Sequence, residues 1–164
     1  MNKGNYKTLV KFLKITINIM MIIGLFSCIS IVISVFILQY KGKISSRFII
    51  NGLIFFSGSG SLIGILNKLK KIMESVLKRS PFVMSNVRHL NSIALYCYTI
   101  TFCYLINFIY NEQYKEFRLV SIDFSGVHTD TEFIIFFFAG CFILVLAQVY
   151  KQAIEVKEEN DFTI

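Results

Sequence analysis

The side chains with the widest chemical range are few in this chain and badly spaced for catalysis. It has two histidines, His89 and His128, and four cysteines, Cys28, Cys97, Cys103 and Cys141. Neither set falls at a spacing that would hold zinc, and the cysteines sit in apolar stretches, where a thiol behaves as a small hydrophobe. Between Asn111 and Glu132 the carboxylates Glu112, Glu116, Asp123, Asp130 and Glu132 accompany His128. Such a cluster could take a cation, but its spacing fits no calcium loop, and exposed loops carry charge by default; it reads as a solvated acidic loop. A hydrolase would need a nucleophile, a base and an orienting group within hydrogen-bond reach, and no such set can be assembled. The expectation is a protein that is not an enzyme, with no cofactor and no metal.

Two charged segments do repeat at helical spacing. Leu62, Leu66, Leu69, Met73, Val76 and Leu77 recur every three or four residues, while Lys68, Lys70, Lys71, Glu74 and Lys78 cover the other side. This predicts a basic amphipathic helix ending near Ser80-Pro81, because proline disfavours helix in the residue before it. Ser85 is then the expected N-cap of the next helix, with Asn86, Val87 and Arg88 in its first turn. Near the end of the sequence, Leu146, Val149, Tyr150, Ala153 and Val156 form a second stripe among Glu155, Glu158, Glu159 and Asp161. Opposite charges attract at short range, which would bring Lys68, Lys70 and Lys71 near Glu155, Glu158 and Glu159. The equal alternative is that the lysines sit over anionic lipid and the acids only solvate the tail.

Four charge-free runs, 15–38, 48–66, 90–109 and 133–149, must position these segments. Each approaches the roughly 20 apolar residues that cross a bilayer core of about 30 Å as a helix, and only helices satisfy their own backbone there. The expected fold is all-α, an integral membrane four-helix bundle forming one domain. A hydrophobic content of 55% with 17 phenylalanines agrees. The net charge of +7 does not argue for nucleic acid, because the basic residues flank the apolar runs, where they orient a membrane protein. The first run has 24 residues and no small-residue cleavage site after it, so it reads as a retained helix and not as a signal peptide.

Lys and Arg number twelve in the N-terminal segment, the connection 67–89 and the tail 150–164, against five in the first loop and the loop 111–132. By the positive-inside rule both termini face the cytoplasm, with helices two and four extending into it. Tyr40, Tyr110, Tyr114 and Tyr150 fall at the edges of the runs, as interfacial anchors do. In the outer loop the alternation Val120, Ile122, Phe124 predicts a short strand or hairpin. Small residues crowd the first span (Gly24, Ser27, Cys28, Ser30, Ser34) and the second (Ser57 to Ser61, with Gly60 and Gly64 four apart). They predict close packing between these two spans, with a pore or substrate groove lined by the same residues as the lesser alternative, and a Gly-x-x-x-Gly pair does not by itself separate internal packing from a homo-oligomer. Asn18, Asn51, Asn107 and Gln148 are the polar groups near membrane depth, suited to interhelical hydrogen bonds. No ionisable residue lies in a run, which counts against coupled transport.

The stretch Leu66-Asn67-Lys68-Leu69-Lys70-Lys71-Ile72, then Ser80-Pro81-Phe82 and Asn86-Val87-Arg88-His89-Leu90, resembles the hallmark of a bacterial membrane-protein family, domain of unknown function 2975. The ending, Leu146-Ala147-Gln148-Val149-Tyr150 followed by Glu158-Glu159-Asn160-Asp161-Phe162-Thr163-Ile164, is similar to that family's closing motif. Arg79 stands where members tend to have glycine, and Gln148 where they tend to have an acid. The resemblance implies four membrane helices in a bacterial inner membrane, no established catalytic activity, and a small helix-turn-helix regulator as a neighbour. Three functions follow as expectations. The first is a regulatory membrane protein that binds a cytoplasmic partner through Lys68, Lys70, Lys71, Pro81, Phe82, Asn86, Arg88, Glu155, Glu158, Glu159 and Asp161. The second is self-protection against a membrane-active peptide, resting on the spans and the outer loop. The third is a small transporter or channel.

Overall fold

The computed structural model describes residues 3–40, 46–78, 81–115, 121–123, 126–128 and 131–162. Helix α1 spans Lys3–Tyr40, α2 Ser46–Leu77, α3 Met84–Tyr110 and α4 Glu132–Phe162. A 3-10 turn, Gln113–Lys115, follows α3, and strands β1 (Ser121–Asp123) and β2 (Gly126–His128) pair antiparallel with Ile122 opposite Val127. The hairpin expected around Ile122 is thus present, while Val120 and Phe124 lie outside the described residues. All four helices are long and apolar enough to cross a membrane. At 1.5 Å per residue α2 and α4 each reach about 46 to 48 Å, well beyond a core of about 30 Å, so both continue past their apolar stretches.

The four helices form an open row. Helix α1 packs on α2, α2 on α3 and α3 on α4, and among the described residues no other pair of helices approaches within 8 Å between Cα atoms. In lipid no hydrophobic force drives the row to close, because hydrocarbon tails cover an apolar helix as well as a neighbouring helix does. The outer members show this directly. Phe26 of α1 is 71% exposed, and most apolar residues around it are exposed too. The core follows α3, where Val87, Ile93, Ala94, Cys97, Ile100, Thr101 and Cys103 are buried.

Small residues decide which faces meet, but not as the composition of the first two spans suggested. A Cβ placed on Gly64 would come within 2.7 Å of the Tyr96 ring, and one on Gly140 within 2.9 Å of the Tyr98 ring. Helix α3 therefore sends one tyrosine each way, onto a glycine of each neighbour. Gly60 meets nothing within 4 Å, so the Gly60/Gly64 pair divides between open space and α3 and does not serve α1. The α1–α2 seam uses Val10, Ile17 and Gly24, spaced by seven, with Gly24 in ordinary contact with Ile63. The serines of α1 take no part in it as bridges: Ser27, Ser30 and Ser34 donate to carbonyls four residues back on their own helix.

At the end where α3 gives way to the hairpin, Asn111 exchanges hydrogen bonds with Asn51 of α2 at 3.1 and 3.4 Å. Asn111 also donates to Asn107 at 2.7 Å, and Asn107 to Gln113 at 3.4 Å. Asn51 and Asn107 thus join a polar clasp between α2 and α3. Gln148 instead is exposed.

Candidate partner-binding face at the α2–α3 loop

At the opposite end the chain turns from α2 into α3 through Pro81-Phe82-Val83. Helix α3 starts at Met84, with Val83 in extended conformation as its N-cap and no side chain capping it. Ser85 is therefore inside the first turn, and the expected cap is replaced by a different device. Asn86, 1% exposed, donates through Nδ2 to Ser75 Oγ at 2.6 Å and to the Pro81 carbonyl at 2.7 Å. Ser75 in turn donates to Ile72 O at 2.7 Å, and the Pro81 carbonyl also accepts from the Val83 N–H at 3.0 Å. A proline carbonyl can only accept, so the amide nitrogen must face it. Asn86 is a buried brace between the loop and α2, which removes it from any contact surface.

Phe82 and Tyr150 carry the loop onto α4. Their rings stack with centroids 5.3 Å apart and planes at 25°. Beside them Val87, Ala147 and Ile154 form a buried cluster, with Leu90 and Tyr150 packed against it. Tyr150 is thus a packing residue at this end and more than an interfacial anchor.

The charged residues fall into separate groups. Glu74 binds Lys14 of α1 at 2.9 Å, and Lys70 and Lys78 lie close enough to act on the same carboxylate. Lys14 beside it holds the Glu74 carboxyl below the usual carboxylate range. Lys68, Lys71 and Arg88 instead surround His89, Lys68 and His89 being half-buried, Lys71 and Arg88 exposed. On α4, Glu155 pairs with Lys151 one turn back at 3.6 Å, while Glu158 and Glu159 are exposed. The Asp161 side chain lies outside what is described. Since α3 stands between α2 and α4, the backbones bearing the lysines and the acids do not approach within 8 Å.

The family model described as "Protein of unknown function (DUF2975)" matches residues 41–164. The chain belongs to that family. The DUF2975 match takes in α2, α3, the hairpin and α4, and leaves α1 outside it. No curated protein and no solved structure matches the chain. The two motifs that carry the resemblance, Pro81-Phe82 with Asn86 and the segment ending in Val149-Tyr150, meet in space: the first braces the loop and the second receives its aromatic ring. Metal-ligating groups do not gather in threes anywhere among the described residues.

A concavity lies toward the Asn51–Asn111 clasp. It is a groove of about 330 Å³ lined by Asn51, Phe55, Gly58 and Leu62 of α2, Ile100, Tyr104 and Asn107 of α3, and Phe136 of α4. The small residues of the second span allow a groove as well as close packing, and Gly58 and Ser59 line this one, while its other walls are side chains that any lipid-facing helix carries. The lack of a Cβ at Gly58, taken with the asparagines at one end, was the available signal.

Proposed function

We propose that this DUF2975 protein is a non-enzymatic membrane protein that holds a cytoplasmic protein partner on the face built by the α2–α3 loop and the exposed last turns of α4. The distribution of lysine and arginine supports an orientation with this end on the cytoplasmic side. One observation supports the reading most. Past the buried Ile154, every residue of α4 from Glu155 to Asn160 is exposed, including the apolar Val156 at 57%. A helix that leaves a well-packed base and runs on with Glu155, Glu158 and Glu159 exposed offers a basic protein an acidic, preformed surface. A small helix-turn-helix regulator, which the family resemblance implies as a neighbour, needs a basic surface to hold DNA phosphates, and holding it at the membrane would be a regulatory act.

The test is co-purification of the neighbouring regulator from detergent extracts, with E158K/E159K as the comparison. Retention by the native chain and loss in the charge-reversed one, at unchanged thermal stability, is the expected result. A folded native chain that retains no regulator would reject the proposal. The groove beside Asn51 and Asn107 favours a second reading, self-protection against a membrane-active peptide that lodges there. Replacing 111–132 would then abolish protection and leave partner binding intact.

A further inference from the structure

Lys68, Lys71 and His89 face one another across the α2–α3 seam, and the positions follow from one contact. Gly64 of α2 lies against Tyr96 of α3. Lys68 and Lys71 are four and seven residues on from Gly64, so they share its α3-facing side; His89 is seven residues before Tyr96 and shares its α2-facing side. The helices run antiparallel, so both displacements lead the same way, about 6 Å for Lys68 and about 10 Å for Lys71 and His89 from the glycine contact toward the loop. Arg88 adjoins His89, and Lys68, Lys71 and Arg88 are the charged groups that act on it. Helix α4, on the other side of α3, carries Lys151 and Glu155, which are paired with each other. Glu74, the only carboxylate in the segment 67–89, is engaged with Lys14 on the flank toward α1.

Three cations and an imidazole thus converge, with the one acid of their segment engaged elsewhere. They stand where the charge-free runs of α2 and α3 end, at Leu66 and Leu90, which is the level of lipid phosphates. Beyond them, toward the membrane centre, the surface is apolar and unfilled: Leu95, seven residues from Arg88, is 64% exposed, and Gly60, four residues before Gly64, has nothing within 4 Å of its Cβ position. An anion with acyl chains matches both halves.

We propose that Lys68, Lys71, Arg88 and His89 form a site for the phosphate of an anionic glycerophospholipid headgroup, with the lipid's chains running along the α2–α3 surface past Gly60 and Leu95. The arginine fork and two ammonium groups supply charge, and the imidazole supplies a donor that strengthens when protonated. This goes beyond partner binding and stands whether or not a regulator is found.

The experiment titrates the imidazoles by nitrogen-15 NMR with the full chain in nanodiscs of phosphatidylglycerol or of phosphatidylcholine. The chain has two histidines, and H128Q assigns them. A phosphate seated beside His89 should raise its pKa by about one unit in phosphatidylglycerol relative to phosphatidylcholine. His128, at the opposite end of the helices, should move less. K68Q/K71Q should lose the excess at unchanged thermal stability; should that pair misfold, R88Q serves alone. An equal shift at both histidines would reduce the effect to general surface potential and overturn the site, as would no shift or an excess that survives the substitutions. Inorganic phosphate added to the phosphatidylcholine discs separates the sources. No response supports the lipid, and a rise equal to that in phosphatidylglycerol overturns it in favour of a soluble phosphate.

Discussion

Replacing Asn86 by aspartate should damage the protein more than its near-identical size suggests, and in a pH-dependent way. The Asn86 amide gives both of its described hydrogen bonds as a donor, to Ser75 Oγ at 2.6 Å and to the Pro81 carbonyl at 2.7 Å, from a site 1% exposed. Asn86→Ala removes two hydrogen bonds, each with a net contribution of about 0.5 to 1.5 kcal/mol, so a loss of roughly 1 to 3 kcal/mol is expected. Asn86→Asp is worse. An ionised carboxylate would point two acceptors at an acceptor, so in the folded state the group stays protonated and its pKa rises above the unfolded value of about 3.9.

The sign follows from that rise. A carboxyl with a raised folded pKa binds more protons folded than unfolded, so stability is lost as pH climbs from the unfolded pKa toward the folded one. If the folded pKa exceeds 7, the variant should lose about 2.7 kcal/mol between pH 5 and pH 7 through this group alone. The native chain has no such contribution from position 86. Thermal unfolding in detergent, at both pH values, of native, N86A and N86D protein gives the comparison. N86D equal to native at pH 7, or N86D no better at pH 5 once native behaviour is subtracted, would refute the donor assignment.

Gly64→Ala and Gly60→Ala should separate sharply, although they belong to one motif. The first puts a methyl group 2.7 Å from the Tyr96 ring and should cost about 1 to 3 kcal/mol by overpacking, while the second should stay within about 0.5 kcal/mol in the same unfolding assay. A change of oligomeric state in G60A alone, read by light scattering, would instead assign the open glycine face to a second copy. Glu74 should bind α1 less firmly in acid: its carboxyl is held low by Lys14, so the attraction is present above the ordinary carboxylate pKa and is lost as pH falls through the depressed one. A disulfide between K14C and E74C should make proteolysis of α1 independent of pH, whereas the native chain should be cut faster at low pH.

How much of this was legible beforehand depends on the kind of order concerned. The charge-free runs and the three-four spacing of Leu62 to Leu77 required long helices that continue past lipid, and α2 does run to Leu77. Hydropathy carries no information on which helix meets which, because every face of such a helix is acceptable to hydrocarbon. The small residues of spans one and two were therefore matched to each other, whereas Gly64 receives Tyr96 from α3. Tyrosines at membrane depth were the signal passed over, since a ring at a helix seam needs a facing residue without a side chain. Glu74 was legible in principle as the sole acid among the lysines of its segment. The family motif marks Asn86 without saying whether it faces a partner or the interior; only the way the loop folds back over α2 shows that the amide is buried.

The structure also separates what the family shares from what lies outside the match. Helix α3 is the hub, with Tyr96 seated on α2, Tyr98 seated on α4, and an asparagine brace at each end of the α2–α3 pair. Phe82 and Tyr150 extend that brace to α4, so three helices are joined by directional contacts along their length. Those three helices are the part that the DUF2975 model covers. Helix α1 is held otherwise, by one seam of Val10, Ile17 and Gly24 and one half-exposed ion pair, and an ion pair that open to water contributes little. A change that must leave the shared unit intact would act most cheaply on this seam. Because Lys14 binds the one carboxylate amid the basic residues of α2, releasing α1 would also free Glu74 beside Lys70 and Lys78, and alter the charge of the face that the loop presents.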